Sequence, residues 1–275
     1  MPDSDYIVSN GETITSRSGD RMWKVPAGVT CYLPSGSIVE IRAGLIVVEG
    51  TINGVGRGYA GGSNGGGSGS PTAGSGPGGG AAGTGGGGGG HGGSGGNGGL
   101  GASGGGTYGN STDTTIYMGS GGGGSARYYD GTLYAGGNGG SGGGAILLEA
   151  PWIIVSGTIN VAGDTGGGPN SSGAGGGGGG SGGTILLRAH RVIWGSGSSL
   201  DARGGNGDID EYGVGGGGGG GGRIKIRAFE IIGSPSSYTV SGGAGGAGAD
   251  YSGSPGAAGT FQMFTTLDER RIFGR

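Results

Sequence analysis

The chain has 275 residues and a formal net charge of −3 at neutral pH, and 89 of its residues are glycine. Only 12% of the residues are charged and just two are lysines, Lys24 and Lys225, which argues against a basic nucleic-acid-binding face. Runs such as Gly85–Gly90 and the presence of only nine prolines exclude a collagen triplet pattern.

Targeting patterns are absent from the sequence. No stretch approaches 18 apolar residues, so no transmembrane helix is predicted. The opening residues MPDSDYIVSNGE lack the basic and then apolar pattern of a secretory signal, so we expect synthesis in a cytoplasm. For a protein acting outside a cell, this favours a virion location, with an extracellular filament as the alternative.

Three regions follow one another along the chain. Residues 1–36 contain no glycine tract and predict short strands with turns, forming an N-terminal β cap or attachment region. Residues 37–264 form a glycine-rich repeat domain. Residues 265–275 form a charged C-terminal tail.

Short apolar segments recur at a fixed interval inside the middle region. Ile146, Ile185 and Ile224 are separated by 39 residues in similar contexts: AILLEA, TILLRA and RIKIRA. An earlier copy begins near Val39, at an offset of 107 from Ile146, and a shortened last copy begins at Thr260. Such self-similarity is typical of repeat architectures and argues against disorder.

Residues alternate with a period of two inside each segment, which is typical of strands. The isoleucines lie on one face, and the other face carries the charged residues Glu149, Arg188, Lys225 and Arg227. We therefore predict an all-β repeat fold, in which stacked strands form a β-solenoid-like spine.

Glycine-rich segments of about 18 to 21 residues separate the spine segments in the later copies. This length fits two extended arms and a tip, and side-chain-free threefold helices pack closely enough to bond through their backbones. We therefore predict a projecting bundle of polyglycine II helices. The longer insert, residues 54–144, holds more than one such excursion.

Strands that lead into glycine runs with polar and aromatic interruptions resemble the T-even-type bacteriophage long-tail-fibre adhesins. The residues that carry the resemblance are Ile52–Gly67 and the later glycine tracts. The resemblance implies a sandwich of polyglycine II helices whose end loops bind receptors on the bacterial surface. It covers roughly residues 44–259.

Catalytic and metal-binding patterns are weak. Matches such as GGSGG at 92–96 follow from composition, and the only histidines are His91 and His190. The fragment Gly245–Asp250 matches one calcium nonapeptide, but such a site needs tandem copies. We expect no enzyme activity, no cofactor and no metal site.

Tyrosine is the stronger signal, since eight of the 11 tyrosines lie in or beside glycine-rich excursions. Tyrosine on a glycine and serine background is typical of binding loops, although the same rings also suit packing over the ends of a bundle. The candidate binding residues are Tyr108, Tyr117, Arg127, Tyr128, Tyr129, Tyr134, Asp208, Asp210, Tyr212 and Tyr251.

Three functions follow as hypotheses. The first is a receptor-binding adhesin whose partners are a bacterial outer-membrane protein or glycan and, through the N-terminal region or spine, a fibre or virion protein. The second is a structural subunit of a virion or filament that binds copies of itself. The third is an ice-binding protein, which needs a flat face of small residues and is disfavoured by the interrupted tips.

Overall fold

The computed structural model describes residues 4–65, 70–129, 132–168, 174–208 and 213–265. This part of the chain is all-β, as the sequence predicts, with one turn of 3-10 helix at Gly99–Gly101. None of its helices is long and apolar enough to cross a membrane. The strands are β1 (Asp5–Ile7), β2 (Arg17–Val25), β3 (Thr30–Tyr32), β4 (Ile38–Val48), β5 (Thr51–Asn53), β6 (Ala126–Tyr129), β7 (Thr132–Ala135), β8 (Ala145–Val155), β9 (Thr158–Asn160), β10 (Thr184–Trp194), β11 (Ser199–Asp201), β12 (Arg223–Ile232), β13 (Ser237–Thr239) and β14 (Thr260–Thr265).

Two parallel sheets contain all of these strands except one hairpin. The larger sheet has the order β1-β2-β4-β8-β10-β12-β14, and the smaller sheet has the order β13-β11-β9-β5-β3. Strands β6 and β7 pair with each other in an antiparallel hairpin. Since β2 pairs with β4 and β3 pairs with β5, strands that precede position 37 extend both sheets.

The register of the larger sheet follows the spacing of the apolar segments. Ile185 lies opposite Ile146 on one side and opposite Ile224 on the other, so residues 39 apart are neighbours. Val39 lies opposite Ile146, which matches the offset of 107. Strand β14 begins at Thr260 and pairs in register with β12.

The hydrophobic core lies between the two sheets. Ile146, Ile185 and Ile224 are fully buried on the larger sheet and belong to one cluster with Ile52 and Ile159 of the smaller sheet. Each such side chain stabilises the fold by about 1.5–3 kcal/mol. The alternating isoleucines therefore face inward, as their period of two predicts.

The opposite face of the larger sheet is covered at the N-terminal halves of β8 and β10. The alternation in the sequence had predicted charged residues on this face. Ala145, Leu147 and Leu186 pack there against Ile116 and Met118 in a second apolar cluster. The covering segment, residues 107–118, is called the strap below. Strands β8 and β10 are thus buried on both faces where the strap crosses them.

The glycine-rich segments between the strands, called arms below, are joined by backbone hydrogen bonds that repeat every three residues. In the arm from Gly215 to Gly222, every third N–H group donates to the same neighbouring segment. Gly215, Gly218 and Gly221 donate to the carbonyls of Tyr251, Ser254 and Ala257, at 2.8–2.9 Å. The glycine that follows each of these three donates to a different segment. Gly216, Gly219 and Gly222 donate to the carbonyls of Asp208, Gly205 and Ala202. Three residues per turn is also the period of an extended PPII-type helix.

Neighbouring arms lie too close for any side chain between them. A Cβ atom on Gly88 would lie 2.0 Å from the carbonyl oxygen of Gly218, and one on Gly219 would lie 2.0 Å from that of Gly180. A Cβ on Gly178 would lie 2.1 Å from the oxygen of Gly87. Three arms therefore meet pairwise through bare backbone, which explains why glycine is concentrated there.

Candidate binding surface

The arms end in a surface opposite the sheets, called the distal end below. At this level Gly99 N–H donates to Gly215 O at 2.9 Å, and Gly215 N–H donates to Tyr251 O at 2.8 Å. Arm residues seven positions later, at Gly222, are already beside the first residues of the strands. The distal end contains residues 83–85, 97–102, 125–129, 132–137, 207–208, 213–215 and 248–252.

Two large apolar side chains are exposed at the distal end. Leu100 is 53% exposed and Tyr251 is 52% exposed. Their backbones are adjacent, because Gly99 and Tyr251 both bond to Gly215. The backbone of Tyr251 also forms a parallel β-bridge with Val214, which fixes Tyr251 at the arm end.

Leu100 has a left-handed backbone conformation, with φ at 57°. Among the described residues it is the one non-glycine residue with a positive φ. This conformation costs about 1–2 kcal/mol for a residue with a Cβ atom, and both neighbours of Leu100 are glycines. An exposed leucine held in strain is typical of a functional position rather than of a packing position.

The β6–β7 hairpin carries another group of the predicted binding residues. Arg127 and Tyr134 lie opposite each other across the hairpin, and both are half-buried. Tyr128 and Tyr129 lie on β6, and their side chains are outside the described part of the structure. The hairpin is anchored by Ser125, whose Oγ donates to Gly175 O at 2.5 Å.

Asp208 is half-buried at the distal end, where its backbone N–H donates to Gly177 O at 3.0 Å. The predicted binding residues Asp210 and Tyr212, which follow it, lie outside the described residues. The distal end therefore brings together Arg127, Tyr134, Asp208 and Tyr251 from the predicted set.

Tyr108 and Tyr117 lie instead on the strap, against the larger sheet. Their rings meet edge to face, with centroids 5.9 Å apart. The Tyr108 hydroxyl donates to Met118 O and accepts from Ser120 Oγ, the latter at 3.0 Å. Burial raises the pKa of Tyr108. The structure thus places this stretch away from the arm tips, and the Tyr108 hydroxyl is already bonded within the chain.

Basic side chains of β12 hold the strap to the sheet. Lys225 is only 1% exposed, and its Nζ donates to Asp113 Oδ1 at 2.8 Å and to Thr115 O at 2.7 Å. Arg223 donates to the carbonyl of Tyr108 at 2.9 Å. Burial lowers the pKa of both cations, and the Asp113 carboxylate opposes that change.

The anchoring role of Lys225 was not predicted from the sequence. One sign of this role is present in the sequence. Lys225 occupies the position on β12 that Leu147 occupies on β8 and Leu186 occupies on β10.

The two histidines occupy structural positions. His91 is fully buried, and its Nδ1 lies 2.8 Å from Gly182 O. Because a carbonyl oxygen only accepts, Nδ1 carries the proton and Nε2 is unprotonated. Burial lowers the pKa of His91 to about 4. His190 stacks on Phe229, with centroids 4.9 Å apart.

Over the described ranges, no group of three or more His, Cys, Asp or Glu side chains is placed to hold a metal ion. Cys31 is buried in the core, and desolvation there raises the pKa of its thiol to about 12. Such a thiol is not a reactive nucleophile at neutral pH.

Comparisons with protein-family models, with curated proteins and with solved structures gave no match.

Proposed function

We propose that this chain is a non-enzymatic receptor-binding adhesin on a virion surface, such as the tip of a phage tail fibre. The parallel strands form a β-solenoid-like spine, and the arms form a bundle of polyglycine II helices. The distal end contacts an outer-membrane protein or a glycan of a bacterium, and the N-terminal region or the spine attaches to a fibre protein.

The observation that carries this proposal is the exposed pair Leu100 and Tyr251. Both side chains leave about half of their surface in water, and one of them is held in a strained backbone conformation. A strained and exposed apolar residue gives nothing to the stability of the isolated chain. Its retention is explained by contact with a partner, where large apolar side chains act as anchors.

The arms give these anchors a rigid base. Gly215 bonds to Gly99 and to Tyr251, and the neighbouring Gly216 bonds to Asp208 and Gly246. Arms that lie this close cannot slide without breaking several such bonds. A preorganised surface loses little conformational entropy on binding, which favours affinity.

A structural subunit that binds copies of itself is the second candidate, and the open ends of the sheets favour it. Tyr238 on β13 and Met263 on β14 are exposed by 52% and 43%, and both strands lie at the end of their sheet in the described topology. Edge strands of this kind pair readily with another chain.

One pair of substitutions distinguishes the two functions. Tyr251→Ala removes an exposed tyrosine at the distal end, and Tyr238→Ala removes one with the same exposed fraction at the sheet edge. Binding of fluorescently labelled protein to intact cells of a Gram-negative panel is measured by flow cytometry, and oligomeric state is measured by analytical ultracentrifugation.

An adhesin predicts that Tyr251→Ala weakens cell binding about 30-fold, the effect of a hot-spot residue, while Tyr238→Ala binds as the wild type does. Equal cell binding by the two variants contradicts the proposed site. Self-association that is lost only in Tyr238→Ala, without binding to any cell, supports the structural subunit instead.

A further inference from the structure

A polar groove lies on the side of the arm bundle, apart from the distal end and the strap. It has a volume of about 330 Å³, within the range of small-molecule sites. It forms where β9 and β11 lead into their arms. The side chains that line it are Val55, Asn160, Asp164, Thr165, Arg203 and Asn206.

The groove crosses three neighbouring strands of the smaller sheet and the arms that follow them. Val55 follows β5, Asn160 ends β9, and Arg203 follows β11. Adjacent strands are ~4.8 Å apart, so the groove is roughly 10 Å wide along the stack. This dimension suits a ligand that lies across the strands and reaches from one strand to the next.

Local hydrogen bonds fix the amide side chains of the groove. Asn160 Oδ1 accepts from Ala162 N–H, and Asn206 Oδ1 accepts from Ala244 N–H, both at 2.9 Å. Because the carbonyl oxygens are used in this way, the Nδ2 groups of both residues remain as oriented donors for a ligand. The groove thus holds two donors that need little reordering.

The charged side chains of the groove are also held by bonds within the chain, and each keeps an atom that is available to a ligand. Asp164 Oδ1 accepts from Thr165 N–H at 3.0 Å, which leaves Oδ2 as an acceptor. Arg203 pairs with Asp201 through its Nε at 3.3 Å, so its terminal N–H groups remain as further donors. The lining residues Asp164 and Arg203 have a net charge of 0, and Asp201, which pairs with Arg203, brings the local charge to −1. This charge disfavours an anionic ligand.

A cation suits the groove poorly as well. Calcium takes six to eight oxygen ligands, whereas Asp164 supplies one carboxylate and the amide oxygens already accept from the backbone. A sugar ring presents hydroxyl groups, each of which donates and accepts, and apolar C–H faces. The Nδ2 donors and the Asp164 acceptor suit the hydroxyls, while Val55 suits the C–H face.

We propose that this groove is a saccharide-binding site for a neutral hexose or hexosamine unit, with Asp164 as the main acceptor and Asn160 and Asn206 as donors. The site is separate from the distal end, so it stands whether or not Tyr251 contacts a receptor. It gives the chain a second, lateral contact with polysaccharide.

Saturation-transfer-difference NMR with the full chain tests the proposal. The probes are D-glucose, D-galactose, D-mannose and N-acetyl-D-glucosamine, with N-acetylneuraminic acid as an anionic comparison. We expect at least one neutral sugar to bind and N-acetylneuraminic acid not to bind. Failure of all four neutral sugars up to their solubility limits, or binding of the anionic sugar alone, overturns the proposal.

Substitutions then locate the bound sugar. Asp164→Asn keeps the shape of the side chain but removes its charge, and we expect at least a tenfold loss of affinity. Asp5→Asn makes the same change on the exposed strand β1, outside the groove and the distal end, and leaves affinity unchanged. A wild-type affinity for Asp164→Asn overturns the site.

Thermal unfolding shows whether each variant is folded. Thr165→Ala provides a second test, because it removes an exposed hydroxyl at the groove without touching the arm contacts. We expect a several-fold loss of affinity from it. Unchanged binding by folded Thr165→Ala and Asp164→Asn together assigns the sugar to another surface.

Discussion

Substitution of a single arm glycine by alanine tests the close packing of the arms most directly. Gly219 is the best position, because its added methyl group would lie 2.0 Å from Gly180 O, whereas ordinary contacts begin at 3.4 Å. The atoms in the way belong to the backbone, so no side chain can move aside. The arms must therefore separate by about 1 Å or more.

The loss of stability follows from the bonds that this separation breaks. Gly219 N–H donates to Gly205 O, and Gly205 N–H donates to Gly180 O, both at 2.8 Å. Lengthening both by about 1 Å breaks them, and each buried group left without a partner costs about 1–3 kcal/mol. Overpacking adds about 1–3 kcal/mol. We expect Gly219→Ala to lower the free energy of unfolding by about 3–9 kcal/mol.

Gly106→Ala is the matched control. A methyl group there meets nothing within 4 Å, and Gly106 is exposed. We expect it to change stability by less than about 1 kcal/mol. Thermal unfolding followed by circular dichroism should separate the two variants by about 10–20 °C. Equal unfolding temperatures would refute the close packing of the arms.

Two further predictions concern buried titratable groups. The pKa of His91 is lowered to about 4 in the folded chain, against an ordinary value of 6.5, so the unfolded chain binds a proton first as pH falls. The free energy of unfolding should therefore fall by about 3 kcal/mol between pH 6.5 and pH 4 in urea titrations, and a fall of the same size in His91→Asn would contradict the assignment. Asp113→Ala should cost about 1–3 kcal/mol, because the buried ammonium of Lys225 loses its carboxylate partner. The same substitution in a Lys225→Met background should cost much less, and an equal cost in both backgrounds would show that the strap is held by other contacts.

The sequence predicts the strands of the larger sheet and their register well because the signal is local. The period of two and the interval of 39 residues place Ile146, Ile185 and Ile224 on one face and in neighbouring strands, as the register shows. Neighbouring parallel strands repeat the same sequence pattern, so the spacing of that pattern along the chain predicts which residues lie opposite each other. The first residue of β14, Thr260, follows from the same pattern.

The strap was not predicted because its contacts join distant parts of the chain. Tyr108 and Tyr117 are flanked by glycine tracts, so composition alone assigns them to an arm tip. The missed signal lies in the strand itself. Leu147, between Ile146 and Leu148, breaks the alternation, and a continuous apolar run is typical of a strand buried on both faces. Something therefore had to cover β8, and the interrupted insert before it supplies the cover.

Arms made almost wholly of glycine constrain where binding side chains can lie. Where a backbone oxygen lies about 2 Å from the position of an added Cβ atom, as at Gly88 and Gly219, a side chain is not accommodated. New side chains are therefore tolerated best at the arm ends and on the outer sides. Leu100 and Tyr251 occupy an end, and Asp164 and Arg203 occupy a side. Variation among related chains should therefore be confined to these two surfaces, with little effect on stability. Residues at the arm ends and on the outer sides can therefore change while the packing of the arms stays the same.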